Sequence, residues 1–86
     1  MISSTVTVTS TATLLVDSTP TATRQIWLEA VGNDIQIGGS NVTTTNGITI
    51  KNGDILVFEL PPLNSLYGVV NTGSHTCKVL KPSGDF

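Results

Sequence analysis

Chemistry in a protein this size has to come from a few side chains, and the sequence offers only a handful. His75 and Cys77 stand two residues apart, so on a strand they share one face and reach toward the same point. Zinc needs three or four such ligands, and the chain holds no second His or Cys to complete a set. The six acids, Asp17, Glu29, Asp34, Asp54, Glu59 and Asp85, are scattered one to a turn or strand. Asp17, Asp34 and Asp54 lack the Asp-x-Asp spacing of a calcium loop, and their expected role is to accept bonds from turn amides. A nucleophile, a base and an orienting group within hydrogen-bond reach would have to be drawn from separate loops, with no local motif in support. Asn41-Val42-Thr43 has the form of a glycosylation acceptor, with nothing around it to suggest a secreted eukaryotic chain. The residues therefore read as those of a binding protein and not an enzyme, and they call for no metal or other cofactor.

Recognition is left to the aromatic residues. Trp27 and Tyr67 are the only large rings with a polar handle. Trp27 falls on the opposite parity to Ile26 and Leu28, so it either packs on a second sheet or lies at an interface. A sugar site would need such a ring exposed, with amide and carboxylate groups beside it.

The elements that position these residues are strands. From Ser4 to Val16 the chain alternates, with Val6, Val8, Ala12, Leu14 and Val16 on one parity and Thr5, Thr7, Thr9, Thr11 and Thr13 on the other. Period two predicts one long strand or two short ones meeting near Ser10. Asp17 to Thr21 reads as a turn or linker, since Pro20 cannot donate to a ladder. A strand follows from about Thr23 to Val31, then a turn at Gly32-Asn33-Asp34 and a short strand through Ile35 and Ile37. Asn46-Gly47 and Asn52-Gly53 flank Ile48 and Ile50 and predict hairpin turns with positive φ at the glycines. The run Ile55 to Leu60 ends at Pro61-Pro62, and a last hairpin joins Leu66–Val70 to His75–Leu80. The expected core is Ile26, Leu28, Ile35, Ile37, Ile48, Ile50, Val57, Val69 and Val79. Seven to eight short strands at this spacing predict an all-β, single-domain antiparallel sandwich or barrel with a Thr-rich extended N-terminal segment.

Composition narrows the function further. The chain has 86 residues with 12% charged, against ~25% in an average soluble domain. Thr is the commonest residue, and Ser, Gly and Asn carry much of the remaining polar surface. A net charge of −2 and a pI near 4.9 supply no basic footprint for nucleic acid or an anionic membrane. The longest apolar stretch, Ile55 to Leu60, is interrupted by Glu59 and is too short to span a bilayer. Met1-Ile2-Ser3-Ser4 lacks the basic start and long apolar run of a secretory signal. A single Cys forms no intrachain disulfide, so stability must come from packing or from neighbouring subunits, which favours a homo-oligomer.

Two segments carry a resemblance. The run Ile35-Gln36-Ile37-Gly38-Gly39-Ser40-Asn41-Val42-Thr43-Thr44-Thr45-Asn46-Gly47-Ile48, with the later Leu66-Tyr67-Gly68-Val69-Val70 and Thr76-Cys77-Lys78-Val79-Leu80, resembles small virion-associated proteins of tailed bacteriophages. The match covers roughly residues 26–81 and leaves out the Thr-rich start. It implies a structural protein of the virion, with capsid decoration as a cement protein first and a tail or fibre receptor- or carbohydrate-binding module second. It implies the major capsid protein and further copies of the chain as partners, with a trimer favoured. The expected location is the surface of the phage head, after synthesis in the host bacterial cytoplasm. Residues 1–20 then read as an extended arm or as the first strand of the domain, and 21–86 as the domain body. The residues expected to meet a partner are Thr5, Val6, Thr7, Val8, Thr9 and Trp27.

Overall fold

A computed structural model describes residues 2–18 and 23–82 and, at Phe58, the backbone alone. Eight strands account for most of them: β1 (Ile2–Val8), β2 (Thr13–Val16), β3 (Arg24–Val31), β4 (Ile35–Gly38), β5 (Ile48–Ile50), β6 (Ile55–Leu60), β7 (Leu66–Val69) and β8 (His75–Lys81). They form two four-stranded antiparallel sheets, ordered β1-β8-β3-β6 and β2-β7-β4-β5. The first strand pairs with the last, the second with the seventh, the third with the sixth and the fourth with the fifth. Such nesting, with alternate pairs assigned to opposite sheets, is the connectivity of an eight-stranded jelly roll. The chain is all-β, and no helix among the described residues is long and apolar enough to cross a membrane.

This topology changes the meaning of the turn signals. Of the consecutive strands, only β4 and β5 are ladder neighbours. The Asn52-Gly53 turn and the Asn71–Ser74 turn each carry the chain from one sheet to the other, so neither closes a hairpin. Gly53 does adopt positive φ, at 86°. Gly47 does not, contrary to expectation, and it is glycine for lack of space: a Cβ there would lie 2.7 Å from Gln36 Cβ and 2.8 Å from Val42 Cγ2.

The Thr-rich start belongs to the sandwich. β1 pairs along its whole length with β8, from Ile2 opposite Lys81 to Val8 opposite His75, and β2 pairs with β7. Residues 2–18 thus form the first two strands of the domain and do not reach away from it as an arm. Of the turn or linker expected at Asp17 to Thr21, the part from 19 to 21, Pro20 included, lies outside the described residues. The alternation expected through Leu14 and Val16 breaks at a bulge between them, which turns Leu14 outward and buries Leu15 and Val16 in succession.

The core lies between the sheets, where Val8, Ile26, Leu28, Ala30, Ile35, Val70 and Cys77 are sealed from solvent. Ile37, Ile50, Val69 and Val79 are buried as expected. Ile48 and Val57 are not. Ile48 lies on the short edge strand β5 and is 66% exposed, whereas Val57 shares the outward parity of Ile55 and is 40% exposed. Arg24 shares the inward parity of Ile26 and Leu28, and its guanidinium is buried.

Four connections meet at one end of the sandwich and are laced together. Val70 N–H donates to Thr9 O at 3.0 Å, and Asn33 Nδ2 donates to Asn71 Oδ1 at 3.0 Å. Gly32 N–H donates to Asn52 Oδ1 at 2.9 Å, while Asn52 N–H donates to Asp34 Oδ1 at 2.8 Å. Asn and Asp serve here because a short side chain can mimic a backbone turn partner.

Candidate functional site: the outer face of the β1-β8-β3-β6 sheet

Register places the site. Trp27 stands opposite Leu80 of β8 on one side and Val57 of β6 on the other, and Leu80 stands opposite Ser3 of β1. One row across the sheet therefore reads Ser3, Leu80, Trp27, Val57, all on the face turned from the core. The next row reads Thr5, Lys78, Glu29, Ile55, and the one beyond it runs Thr7, Thr76, Val31. Trp27 is 39% exposed and Ile55 59%, with Val31 and Val57 also open to solvent. Lys78 Nζ and Glu29 Oε1 pair across the strands at 3.9 Å, with Lys78 exposed and Glu29 half-buried. An exposed pair of this kind adds ~0–1 kcal/mol and serves more to set the polar rim beside the apolar row.

The residues expected to meet a partner separate by parity. Thr5, Thr7 and Trp27 come together on this outer face. Val6 and Val8 turn the other way: Val8 is fully buried and Val6 packs against the core cluster, so neither is available to a partner. Thr9 lies beyond the strand, where its Oγ1 accepts from Thr11 N–H at 3.2 Å and its carbonyl receives Val70 N–H. It holds a turn. The residues missed from the sequence are Val31, Ile55, Val57 and Leu80. Val31 shares the outward parity of Trp27 on β3; for Ile55, Val57 and Leu80 the alternation was visible, but which parity faces out depends on pairing with β3, which local pattern does not reveal.

The reactive side chains lead elsewhere. Cys77 is fully buried, and desolvation pushes its thiol up to about 11, so near neutrality it holds its proton and is no nucleophile. The half-buried His75 stands over the β3–β4 turn, where a Cβ on Gly32 would lie 3.2 Å from its Nδ1. Among the described residues no three His, Cys, Asp or Glu side chains converge on a point. Asp17 Oδ1 accepts from Ser18 N–H at 2.8 Å and from Ser65 Oγ at 3.4 Å, which gives it the turn-bonding role expected of such acids. A cleft of about 340 Å³ opens between the sheets, lined by Ile37, Gly38, Ile48, Leu56 and Leu66. Its lining offers none of the placed polar groups that orient a small molecule.

Comparison with protein-family models, curated proteins and solved structures yields no match. The outer face must therefore be read on its own geometry.

Proposed function

We propose that this protein is a structural component of a phage virion, a capsid decoration protein that binds the major capsid protein and its own copies. The observation that carries the proposal is the solvent-facing row Leu80, Trp27, Val57, with Ile55 and Val31 beside it. A small sandwich gains nothing in its own stability from leaving a Trp and several β-branched residues on one face. Covered by a partner, the same residues supply the apolar centre, and Thr5, Thr7, Gln25 and the Glu29–Lys78 pair supply a polar rim. Trp is among the residues that dominate such interfaces, so Trp27→Ser should weaken shell binding by ~2 kcal/mol or more, about thirtyfold. The test is copy number per particle, followed by rebinding of purified protein to stripped heads. Hundreds of copies, with loss of rebinding by Trp27→Ser, support decoration. A dozen copies or fewer place the protein on a tail and sink the proposal.

A second reading, a carbohydrate-binding module of a tail or fibre, draws on a different feature of the same face. Gln25, Glu29 and Glu59 share the outward face with Trp27, which sets amide and carboxylate groups around an exposed ring. A glycan array separates the two readings, since retention of no glycan leaves only the protein partner.

A further inference from the structure

The four edge strands of the sandwich are unequally protected. β5 is three residues long, and β2 is four residues long and bulged. β1 presents Ser3, Thr5 and Thr7 on its outward side. Short length, bulges and polar side chains are the usual devices that keep an edge from pairing with another chain. β6 has only one of them, a single charged side chain at Glu59. Its six residues, Ile55-Leu56-Val57-Phe58-Glu59-Leu60, pair with β3 in unbroken register and contain no proline, lysine or bulge. Alternate residues of β6 turn main-chain N–H and C=O groups away from β3, and no strand among the described residues pairs with them.

We propose that β6 pairs antiparallel with β6 of a second copy of this chain, about a two-fold axis at Val57, and joins two sheets into one of eight strands. The register follows from the sequence of the strand. Centred on Val57, Ile55 faces Glu59 of the other copy, and the outward residues of both strands stay on one face. The two Glu59 carboxylates then lie about 13 Å apart along the strands, beyond the screening length at physiological salt. Centring on Glu59 would set like charges opposite each other, and centring on Phe58 would set Ile55 against Pro61, which has no N–H to give. The favoured register also makes the apolar row continuous: Leu80, Trp27 and Val57 of one copy run directly into Val57, Trp27 and Leu80 of the other. The association is two-fold, in place of the trimer the family resemblance implies, and it is measured without any capsid, so its failure would leave shell binding untouched.

Val57 meets itself on the axis, and this gives the test. The full-length chain should sediment at twice its 9.0 kDa mass at tens of micromolar. Val57→Lys and Val57→Glu should each sediment as single chains with unchanged circular dichroism, and an equimolar mixture of the two should recover the double mass. Val57→Thr, which keeps the β-branch, should weaken the dimer by about tenfold and serves if a charged variant fails to fold. A wild-type chain that stays single to about 1 mM, a triple mass, or a Val57→Lys variant that still dimerises overturns the proposal.

Discussion

Removing residues 1–20 separates an arm from a core, and the structure fixes the expected result. A chain beginning at Thr21 loses β1 and β2, and with them the ladder partners of β8 and β7. It also loses Val8, Leu15 and Val16, all buried. Each contributes ~1.5–3 kcal/mol by burial, so the deletion costs roughly 5–9 kcal/mol before any ladder hydrogen bond is considered. A domain of this length has ~4–13 kcal/mol of stability in all. The truncated chain should therefore show no cooperative melt by circular dichroism and collapsed amide dispersion in its NMR spectrum. A paired substitution within the intact chain checks the same argument more gently. Val8→Ala should lower stability by ~2 kcal/mol and Tm by roughly 8–16 °C, while the outward-facing neighbour Thr7→Ala stays within ~0.5 kcal/mol of wild type. A truncated chain with a native spectrum, or a Val8→Ala variant that melts like wild type, would refute the placement of β1 inside the sandwich.

Three further outcomes are expected. Gly47→Ala should destabilise by ~1–3 kcal/mol through its clash with Gln36 and Val42, and Gly53→Ala by ~1–2 kcal/mol through its positive φ; denaturant titration reads both. Cys77 should resist thiol reagents until the protein unfolds. Because burial raises its folded-state pKa from 9.0 to about 11, wild type should lose stability relative to Cys77→Ala as pH climbs from about 9 to about 11, with no such loss below 9. Binding to shells should weaken little between low and moderate salt, since the outer face rests on apolar residues and one exposed ion pair; a steep salt dependence would indicate an electrostatic partner surface elsewhere.

The fold class was legible because period two is written along nearly the whole chain. The β3 alternation of Ile26, Leu28 and Ala30 against Gln25, Trp27 and Glu29 assigns both of its faces correctly from sequence alone. Sheet membership was not legible. Asn52-Gly53 obeys the same turn chemistry whether the chain doubles back in one sheet or crosses to the other, so corners read as hairpins. Val57 and Ile48 show the second limit. For Val57 only the partner strand decides whether its parity meets the core, whereas Ile48 shares the inward parity of Ile50 and is open because it lies on the short edge strand β5. Arg24 shows the third, since its charge suggests solvent while its register puts it inside.

The two outer faces differ in how much of their apolar surface the chain covers, and the difference bears on the proposed partner surface. Part of the outer face of the β2-β7-β4-β5 sheet is covered by its own chain: the 39–47 loop folds back and sets Val42 over Gly38 and Gly47, where missing side chains make room for it, while Leu14 at the far side of that face stays open. Thr43 and Asn46 fasten that loop, with Asn46 Oδ1 accepting from Thr43 N–H at 2.7 Å and Gly47 N–H donating to Thr43 O at 3.0 Å. Val69 is buried on the outward parity, beside Gln36 in the register. Among the described residues no loop covers Trp27, Val57 and Leu80 in the same way. Gly38, Gly47 and Val42 close part of one face, while Trp27 and Val57 stay open on the other beside the β6 edge, and this asymmetry supports the proposal that the second face meets a partner.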